Sequence, residues 1–168
     1  MTSTTDAAIR ILVVDDDRNT RESLGRALRR DGYEILVAEN GKVALDVARE
    51  NEVDLVLTDL KMPGLDGLDF LESLRVVRPD VPAILISAFA SVDTAVKAVR
   101  RGVSDVLEKP IRLRDVRRAI KRVVETHQIA GRNPLREHAN GKSVALAFDA
   151  GRLIGRSPAF LEVMDLIA

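Results

Sequence analysis

Short apolar runs alternate with amphipathic stretches along the first three-quarters of the chain. Ile9-Arg10-Ile11-Leu12-Val13-Val14 is followed by apolar runs at about 34–38, 54–58, 82–87 and 103–108. Each is short, rich in Val, Ile and Leu, and bounded by polar or turn residues, which predicts buried strands. The stretches between them carry helical spacing. Asn19 is placed to cap a first helix, with Glu22 three residues on as its box partner. Leu24, Ala27, Leu28 and Asp31 follow at that spacing, and Gly32 stops it. Asn40-Gly41 leads into a helix near 42–51 carrying Ala44, Leu45 and Ala48. Pro63, Gly64 and Gly67 make a long loop that leads into a helix near 67–77, with Phe70, Leu71 and Leu74 inward. Val92, Ala95, Val96 and Val99 stripe a helix near 92–101; Leu113, Val116, Ile120 and Val123 stripe one near 113–127. Gly25, inside the first helix, reads as a tolerated cost.

Five strand–helix pairs of this kind imply an α/β fold, a parallel sheet covered on both faces. With right-handed crossovers, the flavodoxin-like order 2-1-3-4-5 is the expected doubly wound arrangement. After His127 the pattern changes. Residues 128–152 open with a polar stretch holding two Gly and one Pro, which predicts a linker, and include a short apolar patch, Val144 to Phe148. Ser157-Pro158 then opens a further helix, with Phe160, Leu161 and Met164 on it, and the chain stops there. The expected organisation is a disordered tail (1–8), one domain (9–127), a linker (128–152) and the start of a second unit (153–168).

Composition narrows the class. Hydrophobic residues are 46% of 168, enough for a substantial core, and 26 basic residues balance 26 acidic ones. A neutral balance gives no bulk attraction to nucleic acid or anionic lipid. With no cysteine there is no disulfide and no thiolate chemistry. The polar N-terminus does not read as a signal peptide, and no apolar run reaches the ~20 residues of a membrane span. A cytoplasmic protein is expected.

The chemistry sits where the strands end. Asp15 and Asp16 close the first run, Asp59 the third, Ser87 the fourth and Lys109 the fifth. In a parallel α/β sheet those ends share one edge, where ligands bind. Strands one and three adjoin in the order 2-1-3-4-5, which brings the three aspartates together. Crowded carboxylates repel unless a cation joins them, and hard oxygen donors suit Mg²⁺. Asp59 is the natural nucleophile for an aspartyl phosphate. Asp15 and Asp16 would hold the metal, with the Lys61 backbone carbonyl as a further ligand. Lys109 would pair with the phosphate, and Ser87 would hydrogen-bond a phosphoryl oxygen. Taken singly, each residue has a plainer reading: a solvated helix entry, a strand-end turn, a surface lysine. Their joint placement at four strand ends is what favours a site.

These residues, with Ala38-Glu39-Asn40-Gly41, Asp59-Leu60-Lys61-Met62-Pro63-Gly64-Leu65-Asp66-Gly67, Ser87-Ala88 and Lys109-Pro110, resemble the receiver domain of bacterial two-component response regulators. The resemblance covers about residues 9–127. It implies a sensor histidine kinase as phosphoryl donor to Asp59, Asp16 as direct Mg²⁺ ligand with Asp15 assisting, and a cis bond before Pro110. It also marks a departure: Val106 stands where the family often has an aromatic switch residue, so a shift of the fourth helix is expected to carry the signal instead. Leu153-Ile154-Gly155-Arg156-Ser157-Pro158 is similar to the opening of the AAA+ domain of NtrC-type activators of sigma-54 promoters. The phosphate-binding GxxxxGK[ST] loop is absent from this chain, so RNA polymerase sigma-54 and DNA would be met only through missing domains.

Two rival classes differ in what they demand. A haloacid-dehalogenase-like phosphohydrolase uses a D-x-D pair, which Asp15 and Asp17 fit superficially, but it leaves Met62-Pro63-Gly64 and Lys109-Pro110 unexplained. A phosphorylation-independent interaction domain would not need the full acidic set. Arg100, Arg101, Arg112, Arg114, Arg117, Arg118, Lys121 and Arg122 form a basic cluster whose plainest reading is a solvated face. Ile111, Val124 and Ile129 are apolar positions left over on or beside the last helix. They predict a homodimer through the fourth helix, fifth strand and fifth helix, with the basic cluster meeting acids across a two-fold axis.

Overall fold

The computed structural model describes residues 8–88 and 91–131. Five strands form one parallel sheet: β1 (Arg10–Val14), β2 (Glu34–Ala38), β3 (Leu55–Asp59), β4 (Ala83–Ser87) and β5 (Asp105–Glu108). Their order is β2-β1-β3-β4-β5, as the pattern predicts. Five helices alternate with them: α1 (Arg18–Arg30), α2 (Gly41–Glu50), α3 (Gly67–Val77), α4 (Val92–Arg100) and α5 (Leu113–Gly131).

The central strands β1, β3 and β4 are buried on both faces and the edge strands β2 and β5 only in part, and the buried side chains divide with period two. Ile11, Val13, Leu55, Leu57, Ile84 and Ile86 pack against Leu24 and Leu28 of α1 and Val116, Ala119, Ile120 and Val123 of α5. Leu12, Val14, Val56, Ala83, Leu85 and Val106 pack on the other side, against α2, α3 and α4 through Ala44, Ala48, Phe70, Leu71, Leu74, Ala95 and Ala98. Two helices therefore cover one face and three the other.

The local expectations need four corrections. Asp17, not Asn19, caps α1: its carboxylate accepts from the Thr20 N–H at 2.6 Å. Asn19 lies inside the first turn, and Glu22 pairs with Arg18 in place of closing a capping box. On α4 Ala95, Ala98 and Val99 are buried and Val96 packs partly against the core, while Val92 is exposed, because Ser91 caps the helix and leaves Val92 at its first position. Leu113 is only half-buried at the start of α5. Finally, α5 continues to Gly131, four residues past the expected end, since Gln128-Ile129-Ala130 contains no helix breaker.

Ile111 and Val124 pack partly against the α1–α5 side of the core. That contact removes part of the apolar remainder from which a partner-facing seam was expected. The basic cluster is also partly engaged within the chain: Arg117 pairs with Asp31, Arg122 with the buried Asp105, and Arg101 with Asp69 and Glu72. Residues 1–7 and 132–168, on which the expected tail, most of the expected linker with Val144 to Phe148, and the expected second unit fall, lie outside the described residues. No helix among the described residues is long and apolar enough to cross a membrane.

Candidate functional site

Topology alone brings four strand ends to one edge. Val14 pairs with Thr58 across β1 and β3, so the next residues, Asp15 and Asp59, are neighbours. Asp59 pairs with Ile86, and Ser87 with Glu108, which places Lys109 one step beyond. Main-chain hydrogen bonds extend the ladder past the strands. Asp15 N–H donates to the Ala38 carbonyl at 3.3 Å, Leu60 N–H to Ile86 at 2.8 Å, and Lys109 N–H to Ser87 at 2.8 Å. The ladder thus runs one residue past β1, β3 and β5.

Four of these side chains, Asp15, Asp16, Asp59 and Lys109, lie close together. Asp15, Asp16 and Asp59 offer carboxylate oxygens that all lie within 4.8 Å of one another. Lys109 Nζ donates to Asp59 Oδ2 at 3.0 Å and to Asp15 Oδ2 at 3.4 Å, and the Lys109–Pro110 bond is cis. Asp15, Asp59 and Ser87 are buried, whereas Asp16 is exposed. Lys61 lies two residues past Asp59 in the loop that leads to α3.

Burial pushes the Asp15 carboxyl above its ordinary range, and the nearby Asp59 adds to this. The Asp17 N–H and the Lys109 ammonium pull the other way without cancelling it. Burial pulls the Lys109 ammonium down, but its hydrogen bond to Asp59 and the charges of Asp15 and Asp59 outweigh that and raise it. Lys109 is therefore a firm cation between two carboxylates. A single ammonium cannot fully offset three carboxylates at this spacing. The donor set is all oxygen, with one exposed member open to water, and it fits a hard divalent cation such as Mg²⁺.

Three supports were not expected from the sequence. Asp17 N–H donates to Asp15 Oδ1 at 2.8 Å, orienting the carboxylate that Lys109 also touches. The Arg21 guanidinium donates to the Asp15 carbonyl at 2.6 Å, with the Asp16 carbonyl at 3.5 Å. Gly67 N–H donates to the Leu60 carbonyl at 2.8 Å, and a Cβ at Gly67 would lie 2.1 Å from the Asp59 carbonyl oxygen. The start of α3 thus rests directly on the peptide after Asp59, an approach only glycine permits. Meanwhile Asp17, engaged at Thr20, does not join the carboxylate cluster. The D-x-D pairing of a dehalogenase-like hydrolase is not assembled.

The response regulator receiver domain model matches residues 11–121, about two-thirds of the chain. The chain belongs to that family. Among curated relatives, the transcriptional regulatory protein ZraR of Escherichia coli K12 is 34% identical over 161 residues, 95% of this chain and 34% of its own. The DNA-binding transcriptional regulator NtrC of Azospirillum brasilense is 34% identical over 168 residues, 96% of this chain and 32% of its own. This receiver chain therefore spans about a third of the length of these relatives. A response regulator receiver domain protein from Methanospirillum hungatei superposes with TM-score 0.71 at 28% identity, covering 74% of this chain and 99% of that one. One from Clostridium thermocellum gives 0.68 at 30%, covering 73% and 98%. The protein carries the receiver domain of a two-component response regulator similar to NtrC-like transcription regulators, a signalling domain by family.

Proposed function

We propose that Asp59 accepts a phosphoryl group from a sensor histidine kinase, with Mg²⁺ held by Asp15, Asp16, Asp59 and the Lys61 carbonyl. The observation that carries the reading is the Lys109 ammonium bridging Asp59 and Asp15 inside a three-carboxylate cluster. When bound, the metal supplies charge that lets an anionic phosphoryl group approach an anionic acceptor. The chain's own groups do the rest. Asp59 offers a carboxylate oxygen at a fixed strand end, Lys109 offers an ammonium to a phosphoryl oxygen, and Ser87 presents its hydroxyl from the end of β4. Its role is that of a phosphoacceptor with at most self-dephosphorylation, and a cytoplasmic placement goes with it.

Output follows by analogy with the NtrC-like relatives. The receiver (9–127) would control a sigma-54-dependent effector through the 128–152 linker and the segment opening at 153, by a homodimer of α4, β5 and α5. Of the basic cluster, Arg100, Arg112 and Arg118 have no ion-pair partner among the described residues and are the ones left to meet acids across a two-fold axis. Val106 is buried on the α4 side of the sheet, so a shift of α4 over a small side chain would replace the aromatic swing. Intact-mass measurement with acetyl phosphate, with and without Mg²⁺, tests the chemistry. One phosphoryl group should add in the presence of Mg²⁺, and Asp59→Asn should abolish it. Equal labelling of Asp59→Asn and wild type would remove the assignment.

A further inference from the structure

Resting on the phosphoacceptor reading, we infer that Arg21 is a positioning residue for the metal site: its guanidinium holds the main chain of Asp15 and Asp16 so that their carboxylates face Asp59.

Arg21 sits on α1 and is half-buried. Its Nη1 is 2.6 Å from the Asp15 carbonyl oxygen and 3.5 Å from that of Asp16. The turn between β1 and α1 therefore divides its polar groups. The carbonyls go to the guanidinium, and the carboxylates go to the cluster with Asp59. Asp15 is 2% exposed, so its carbonyl has little water to turn to if the guanidinium is removed. A buried acceptor without a partner is costly, and the turn would rotate to recover one. Such a rotation carries the Asp15 carboxylate with it, against the Asp17 N–H and Lys109 contacts that now fix it.

Charge and geometry predict opposite signs, which makes the inference decidable. Arg21 is a cation close to a site for a cation. If it acted only through charge, Arg21→Gln would remove repulsion and tighten Mg²⁺ binding. As a positioning residue its loss weakens Mg²⁺ binding, by roughly tenfold, the lower end of what losing a group that orients a metal ligand costs. Arg21→Lys keeps the charge and one donor and should recover part of that loss.

Mg²⁺ titration calorimetry on the full chain, beside thermal melts without Mg²⁺, provides the test. Weaker Mg²⁺ binding by Arg21→Gln, with partial recovery in Arg21→Lys and a cooperative metal-free melt that shows the variant folded, supports the inference. Equal or tighter binding by Arg21→Gln overturns it alone. If Arg21→Gln does not fold, Arg21→Lys decides: an affinity between wild type and a tenfold loss supports positioning, and an unchanged affinity overturns it. A wild-type chain that binds no Mg²⁺, or binds it equally well as Asp59→Asn, overturns the phosphoacceptor reading and this inference together.

Discussion

One chemical change, glycine to alanine, should have opposite effects at two buried positions of this receiver. At Gly67 a Cβ would sit 2.1 Å from the Asp59 carbonyl oxygen and 3.0 Å from Leu60 Cα. Ordinary contact begins near 3.4 Å, so about 1.3 Å of movement is needed. The atom in the way is backbone, and its surroundings are pinned: Leu60 N–H is bonded to Ile86 and Gly67 N–H to Leu60, both at 2.8 Å. Overpacking of this kind costs about 1–3 kcal/mol, and a strained or broken main-chain hydrogen bond adds about 1 kcal/mol. Alanine's helix propensity returns at most ~1 kcal/mol, less in a first turn. The net expectation for Gly67→Ala is a loss of about 1–4 kcal/mol, with slower labelling of the displaced Asp59. At Gly25, in contrast, a Cβ would meet Ile35 Cγ2 at 3.5 Å and Arg29 Nη1 at 3.6 Å, ordinary contacts. Its φ is not in the left-handed region, so Gly25→Ala should stabilise by about 0.4–1 kcal/mol, chiefly by restricting the unfolded chain. Urea unfolding followed by circular dichroism compares the two. A Gly67→Ala variant as stable as Gly25→Ala would refute the reading of α3 as resting on the Asp59 peptide.

Lys109→Ala should lower stability in the absence of Mg²⁺ by about 2 kcal/mol, the scale of a lost charge-assisted hydrogen bond, because Asp15 and Asp59 then face each other without their shared cation. Mg²⁺ should raise its melting temperature by more than it raises that of wild type, and an equal rise would argue against the shared cleft. The Asp31–Arg117 pair sets a pH dependence: its hydrogen bonds hold the Asp31 carboxyl below the usual range, so its contribution is present above the unfolded value and is lost as pH falls through the folded one. Asp31→Asn should therefore lower stability at neutral pH and lessen the acid-induced decline, and identical pH profiles in melting experiments would remove that assignment. Sedimentation with and without a stable acyl-phosphate mimic examines the dimer, which Val124→Glu should weaken; a monomer in both states at tens of micromolar would exclude it.

The placement of the candidate site residues was legible because a parallel sheet leaves little freedom in where strand ends go. Once five apolar runs alternate with five amphipathic ones, Asp15, Asp16, Asp59, Ser87 and Lys109 share an edge whatever the details of the helices. The groups that hold those residues in place were not legible, and the physical reason differs for each. Three consecutive aspartates offer three possible caps and three possible ligands. Only the path of the backbone makes Asp17 the cap and leaves Asp15 and Asp16 to the cluster. Arg122 looked like one more member of a solvated basic run, because the sequence does not show that Asp105, at the start of β5, is buried beneath α5. Gly67 carried a signal of the wrong kind: glycine after a loop reads as a turn residue, yet here it serves a close approach of helix to strand at ordinary φ. Arg21 carried no signal at all. Its partners are main-chain carbonyls, which every residue possesses, so no pairing of side-chain types along the chain marks the contact. A site of this sort is read from sequence through its charged and nucleophilic side chains, while the main-chain contacts that aim them become visible only once the turn has a shape.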